Sequence, residues 1–190
     1  MKTLQNKSAQ HDKTFMHPGM HILKKVPEIT FYFWIVKLLT TAMGESTSDY
    51  LVHQLDPIIA VAIGTLGLAI ALTLQLAVRR YIAWIYWLAV AMVAIFGTLA
   101  ADVLHIGLHI PYLVSTVFFA VALAAIFIVW YASEKTLSIH SIYTRRRELF
   151  YWATVITTFA LGTAVGDMTA TTLGLGYLSS GVLFAILIAV

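Results

Sequence analysis

The sequence predicts an all-α, polytopic transmembrane bundle of about six helices, built as three parallel two-helix repeats. The first observation behind this fold class is composition: 60% of the 190 residues are hydrophobic and only 11% are charged. Soluble domains are typically about half apolar and a quarter charged. A globule of this size cannot bury so many apolar side chains, so lipid is the expected solvent.

The second observation is a motif that occurs three times. It joins a Trp, a Gly ten residues later and an Asp five residues after that, and its copies are Trp34-Gly44-Asp49, Trp87-Gly97-Asp102 and Trp152-Gly162-Asp167. Each copy lies in a long apolar run. A carboxylate at the end of an apolar helix is uncommon, so three in the same register indicate an internal repeat.

Residues 1–26 are polar and are expected to form a disordered cytoplasmic tail. Repeat 1 covers 27–80, with a first helix at about 28–51 and a second at 58–78. Pro27-Glu28 and Asp56-Pro57 indicate the two helix starts, because proline and an acid favour the first turn. The apolar runs of about 20 residues match the thickness of a bilayer.

Repeat 2 covers 81–147 and repeat 3 covers 148–190. Their predicted elements in chain order are helix 3 (81–105), helix 4 (112–132), a polar loop from Glu134 to Arg147, helix 5 (149–170), a turn at Gly174 and Gly176, and a last apolar run (177–190). That run is too short to span a bilayer, so we expect the chain to end inside helix 6, with the third repeat truncated.

Basic residues predict the orientation. All Lys and Arg except Lys37 lie in the tail, at Arg79-Arg80, or between Lys135 and Arg147. By the positive-inside rule we expect the N-terminus of this multi-pass protein to be cytoplasmic. The small net charge of +3 argues against nucleic acid as a partner, and the absence of Cys excludes disulfides and thiolate metal sites. We expect no cofactor.

Small residues accompany each motif and predict close packing of the odd-numbered helices. They form small-xxx-small pairs, which let helix backbones approach in lipid. The pairs are Gly44 with Ser48, Gly97 with Ala101, and Gly162 with Gly166.

Asp49, Asp102 and Asp167 are the main candidates for function. They lie at the outer, C-terminal ends of their helices, where the helix dipole disfavours an acid. Intramembrane acids usually face a cavity and mark an ion pathway. Two interpretations stay open: a functional acidic vestibule, or carboxylates that are simply solvated among the headgroups.

Repeat 1 carries additional charge, since Lys37, Thr41 and Glu45 precede Asp49 at steps of four and share one helix face. Val90 and Val155 are the repeat equivalents of Lys37, whereas Thr98 and Thr163 are those of Glu45. Lys37 is expected either to pair with an acid on another helix or to act as a counter-charge to a cation or proton at Glu45. This asymmetry favours a site on the pseudo-symmetry axis.

Histidines give a weaker signal. His53, His105 and His109 follow the outer aspartates at helical spacing, and carboxylate–imidazole clusters bind transition metals. Repeat 3 has no matching histidine, so a metal site is not the leading expectation. No phosphate-binding, zinc-protease or nucleophile-elbow motif is present, so no catalytic residue is assigned and an enzyme is not expected.

Several long segments resemble a known family of bacterial membrane-anchored proteins, defined by a repeat of unknown function. The segments are KVPEITFYFWIVKLLTTAMGESTSDYL, RRYIAWIYWLAV, WYASEKTLSIHSIYTRRRELFYW and FALGTAVGD. The resemblance covers 24–190 and implies a fold of four two-helix repeats, so a fourth Gly/Asp motif is expected beyond this chain. It implies no activity.

The leading functional hypothesis is a cation transporter or channel, proton-coupled or metal-specific. Its outer acidic ring would be the three aspartates, with Glu45 and Lys37 deeper, and Thr41, Thr98 and Thr163 would supply hydroxyls. The alternative is a non-transporting scaffold whose basic loop docks a cytoplasmic protein or anionic lipid. The expected partners are the bilayer and a cation or proton, with a homo-oligomer left open.

Overall fold

A computed structural model describes residues 25–138, 142 and 144–189, and these residues form six α-helices without a strand. In chain order the helices are α1 (Phe31–Gln54), α2 (Pro57–Ala77), α3 (Ala83–Asp102), α4 (Tyr112–Glu134), α5 (Arg145–Asp167) and α6 (Gly176–Ala189). The predicted all-α class with six helices is confirmed. The predicted tail lies outside the described residues, apart from its last two positions.

Side-chain caps explain where the helices begin. Asp56 caps α2, with its Oδ1 accepting from the backbone N–H of Ile58 at 2.9 Å, and Pro57 occupies the first turn as predicted. Helix α1 begins at Phe31, later than predicted, because the Thr30 hydroxyl provides the cap rather than Pro27-Glu28. Such caps each contribute about 1 kcal/mol.

The polar loop between α4 and α5 is shorter than predicted. Thr144 caps α5, so its first turn includes Arg145 and Arg147, which the sequence assigned to the loop. Glu134 ends α4, and its carboxylate accepts from Arg147 Nε at 2.7 Å. This ion pair joins the two helices across the loop.

Two π-helical turns follow the second and third motifs. They span Val103–Gly107 and Met168–Thr172, directly after Asp102 and Asp167. The two turns are separated by the same 65 residues that separate Gly97 from Gly162. In repeat 1 the α-helix continues through the equivalent positions to Gln54. The sequence pattern did not predict these turns, a kind of turn that is frequently found at functional sites.

Helix α3 is the centre of the bundle. It contacts α1, α2 and α5, while α4 packs against α5. Of its 20 residues 13 are buried, whereas α4 buries only three of 23. The largest core cluster joins Leu68 of α2, Tyr86 and Val93 of α3, and Trp152 of α5. Helix α3 therefore forms the inside of the bundle, with α1, α2 and α5 packed around it and α4 packed against α5.

Four helical segments are long and apolar enough to cross a membrane: Pro57–Ala77, Ala83–Gly107, Tyr112–Glu134 and Arg145–Thr172. Large apolar side chains cover their outer faces, as Ile58 and Val121 illustrate. This combination is that of a multi-pass membrane protein, as predicted. Helix α1 is not among the four, since three charged residues interrupt its apolar sequence.

Glycines set the distance between the inner helices. A Cβ added to Gly97 would lie 2.5 Å from Phe159 Cβ and 3.2 Å from the Ala160 nitrogen on α5. A Cβ added to Gly162 would meet nothing within 4 Å among the described residues. An added methyl group would therefore collide with α5 at position 97 but would meet no described atom at position 162.

We expect Gly97→Ala to lower the free energy of unfolding by about 1–3 kcal/mol, because the α5 backbone cannot give way. Gly162→Ala, the matched control, is expected to be neutral or stabilising, because alanine favours a helix by up to about 1 kcal/mol. Thermal unfolding of both variants in detergent measures the difference. Equal stability of the two variants would contradict the packing described.

Candidate functional site

The repeat-equivalent positions Glu45, Thr98 and Thr163 meet inside the bundle. Glu45 Oε2 accepts from Thr98 Oγ1 at 3.0 Å and from Thr163 Oγ1 at 3.4 Å. The two hydroxyls are 3.2 Å apart. Three positions related by the repeat can converge only near its symmetry axis. One helix contributes a carboxylate and the other two contribute hydroxyls to this axial cluster.

Lys37 lies two turns from Glu45 along α1 and does not pair with it. Its Nζ lies over the ring of Phe159, 4.1 Å from the centroid. Among the residues that the structure describes, no carboxylate lies within 4.0 Å of this ammonium group, so the expected ion pair with another helix is not found. A cation over an aromatic face is attracted by the ring quadrupole, which explains how α5 holds the charge.

Thr41 does not join the axial cluster. Its hydroxyl donates to the Lys37 carbonyl of its own helix at 2.8 Å. The equivalent positions in repeats 2 and 3 are Ala94 and Phe159. Of the three threonines expected to supply hydroxyls, the structure brings Thr98 and Thr163 to the axial cluster but not Thr41.

The three outer aspartates occupy different environments. Asp102 is buried, and its Oδ2 accepts from Ser48 of α1 at 2.7 Å. Asp167 is partly exposed, and Asp49 is exposed. Glu45, Asp49 and Asp167 are all close enough to Asp102 for their charges to interact. The aspartates thus surround one acidic region above the axial cluster, although only Asp102 is enclosed.

The small residues occupy a contact that repeats from one helix to the next. Gly44 faces Ala94 and Ile95 of α3, and Gly97 faces Phe159 and Ala160 of α5, which are the equivalents of Ala94 and Ile95. Ala101 is fully buried. Gly162 and Gly166 have no such neighbour within the described part of the chain. Ser48 also binds Asp102, which a packing role alone did not predict.

The three weak metal candidates are not brought together. His53 is exposed, and its Nδ1 is 2.7 Å from the Asp49 carbonyl of the same helix. His109 is exposed in a turn with a positive φ of 54°. His105 is buried, with its Nε2 bound to Ser115 Oγ. Within the described residues no three His, Asp or Glu side chains form a metal-binding group, so the geometry lends this hypothesis no support.

A buried ion pair at the opposite end of the bundle was missed. Lys25 Nζ contacts Glu148 Oε2 at 2.5 Å, and Gln75 of α2 donates to Glu148 Oε1 at 3.3 Å. Lys25 was assigned to the disordered tail, yet it is buried because Glu148 draws it onto the bundle. Gln75 is the single amide in the charge-free helix α2, and this amide could have indicated a buried polar partner.

The sequence of this chain matches one known family along most of its length. The model of the family described as Repeat of Unknown Function (DUF347) matches 32–81, 85–136 and 150–190. The chain belongs to the DUF347 family. The family model thus finds three repeats, as expected, and each match contains one Trp-Gly-Asp motif. No curated protein and no solved structure matches this DUF347 chain.

We expect Lys25→Met to lower the free energy of unfolding by about 3–5 kcal/mol, because it leaves the Glu148 carboxylate buried and unpaired. The double variant Lys25→Met/Glu148→Met removes both charges and should recover most of that loss. Denaturant titration of the two variants and the parent measures the effect. A single variant as stable as the parent would show that the pair contributes nothing.

Proposed function

We propose that this DUF347 chain forms a cation-conducting or cation-transporting unit in the bacterial inner membrane. The observation that supports this function best is the axial cluster of Glu45, Thr98 and Thr163. A carboxylate on the symmetry axis of a membrane bundle, with hydroxyls as its nearest partners, has the chemistry of a cation site. Intramembrane acids that face the bundle interior usually mark an ion path.

The order of charges along the axis gives this proposal a direction. Asp49 and Asp167 are accessible at one end, Asp102 is enclosed next to them, and Glu45 lies one turn deeper on α1. A cation arriving at the acidic end would exchange water for carboxylate and hydroxyl oxygens. Lys37 lies two further turns along, and its charge opposes passage until it moves or a proton is lost.

Orientation is part of the proposal. The basic residues at Arg79-Arg80 and Arg145–Arg147 lie at the end opposite the outer aspartates. The positive-inside rule then puts the N-terminus in the cytoplasm and the acidic region outside. An enzymatic role and a nucleic-acid partner form no part of this proposal, and a homo-oligomer is compatible with it.

A second candidate is a membrane scaffold that binds a cytoplasmic protein or anionic lipid. Arg145 and Arg146 support it, since both are exposed at the start of α5. Arg147 is partly buried and holds Glu134, and Arg146 Nε also lies 3.6 Å from the Glu134 carboxylate. That reduces the basic surface expected from the sequence, and the cation function is therefore favoured.

We expect Glu45→Gln and Asp102→Asn each to reduce cation flux at least tenfold, since a loss of about 1.4 kcal/mol of ion stabilisation has this effect. Asp56→Asn is the matched control, because this exposed carboxylate caps α2 and asparagine caps equally well. Flux of H⁺, Na⁺, K⁺, Mg²⁺, Mn²⁺, Zn²⁺ and Ni²⁺ into proteoliposomes provides the measurement.

Flux of one cation that is lost in both variants and kept in Asp56→Asn is the expected result. No flux of any cation through the folded parent protein would contradict the proposal. Association with anionic vesicles that is abolished by Arg145→Ala/Arg146→Ala, in the absence of flux, would favour the scaffold function instead.

A further inference from the structure

A buried histidine points one ring nitrogen into the acidic region. His105 lies in the π turn after α3, and its side chain is only 3% exposed. Its Nε2 is 2.5 Å from Ser115 Oγ on α4. Its Nδ1 is buried and has no hydrogen-bond partner among the described residues. That nitrogen lies 3.8 Å from Asp167 Oδ2 at the end of α5.

The hydroxyl of Ser115 fixes the position of the proton on the neutral ring. Ser115 Oγ donates its single hydrogen to the Tyr112 carbonyl at 3.0 Å. A hydroxyl that donates there can only accept from His105, so we assign Nε2–H of His105 as the donor to Ser115. The neutral ring then carries its hydrogen on Nε2, and the lone pair of Nδ1 faces the Asp167 carboxylate. Two electron-rich atoms face each other across this gap.

We propose that Nδ1 of His105 and the Asp167 carboxylate bind one proton between them. The proton adds to the bare Nδ1 and gives an imidazolium that faces the carboxylate, while Nε2–H stays on Ser115. No covalent bond other than N–H is formed or broken. The resulting ion pair connects the π turn after α3 to the end of α5.

Other occupants fit this site less well. A zinc ion needs three or four protein ligands, whereas only two donors face each other here. Ser115 is not arranged as a nucleophile, because it is 1% exposed and its hydrogen points to Tyr112 rather than to the histidine. A proton is the ligand that needs only these two groups.

The surrounding charges make proton binding reversible. Burial opposes a charged imidazole, and nearby carboxylates favour it. The titratable groups around the pair come from every neighbouring element: Glu45 and Asp49 of α1, Asp102 of α3, Tyr112 of α4, Asp167 of α5 and Tyr177 of α6. Asp167 is about one-fifth exposed, so the pair is not sealed from the surface of the bundle.

This inference deepens the proposed function and rests on it only for the role of the proton in transport. It names the proton as an ion taken up in the acidic region. Val52 and Ala170 are the repeat equivalents of His105, so among the three repeats only the second carries this group. A proton-binding pair that occurs in only one repeat is better suited to coupling proton uptake to transport than to packing the helices.

The test is ¹⁵N NMR of histidine-labelled protein in detergent, titrated between about pH 5 and pH 9, the range in which imidazole titrates. The chain contains seven histidines, and His105→Gln identifies the signal. The expected result on the alkaline side is a bare Nδ1 with hydrogen on Nε2, followed by protonation of Nδ1 as the pH falls. This result requires no flux.

Asp167→Asn should move the titration midpoint to lower pH by at least about one pH unit, because it removes the facing carboxylate. His53→Gln, a change at an exposed histidine, should leave the signal of His105 unchanged. Three outcomes would overturn the proposal: hydrogen on Nδ1 at alkaline pH, a ring that does not titrate, or a response that appears only with Zn²⁺ and disappears with EDTA.

The NMR experiment and the flux experiment test different claims, so one claim can be rejected while the other stands. A titrating His105 in a protein that moves no cation would leave the proton site intact and reject transport. Cation flux together with a ring that does not titrate would leave transport intact and reject the proton site.

Discussion

The hydrogen bonds between Glu45 and the hydroxyls of Thr98 and Thr163 are the constraint on which the rest of the bundle depends. A half-buried carboxylate among membrane helices needs polar partners, since removing a charge from water is costly. These two hydroxyls come from the two helices related to α1 by the repeat. The requirement brings α1, α3 and α5 to one axis, and Gly44 and Gly97 let their backbones approach closely enough. Helices α2 and α4 then cover the outside with apolar side chains.

Charge is distributed unequally over three helices that the repeat relates. Repeat 1 brings Lys37 and Glu45, and repeat 2 brings His105, whereas repeat 3 has apolar or hydroxyl residues at all of these positions. The repeats therefore share a sequence motif but differ in their charged groups. The acidic region, the axial cluster and Lys37 follow one another along α1. That order resembles a path for a cation more than a set of solvated helix ends.

Much of the fold follows from local features of the sequence. Apolar runs of membrane length, the Asp56-Pro57 start and the spacing of the Trp-Gly-Asp motif predicted the helices and repeats. The alignment of the repeats also showed that Glu45, Thr98 and Thr163 are equivalent, from which an axial site was inferred. The π turns could not be predicted, because one extra residue per turn leaves no mark in an apolar sequence. Side-chain contacts between separate elements, such as His105 with Ser115 and Lys25 with Glu148, depend on helix rotation, which apolar periodicity does not determine.

Disulfide cross-linking tests the convergence at the axis most directly, and the absence of cysteine gives it a clean background. The double variant Thr98→Cys/Thr163→Cys replaces two hydroxyls that are 3.2 Å apart. It should cross-link on mild oxidation, because a disulfide needs Cβ atoms within about 4.5 Å. Thr98→Cys/Thr73→Cys is the control, since Thr73 is exposed on the outer face of α2. Efficient cross-linking of the first pair alone would establish the axial cluster. Equal cross-linking of both pairs, or of neither, would contradict it.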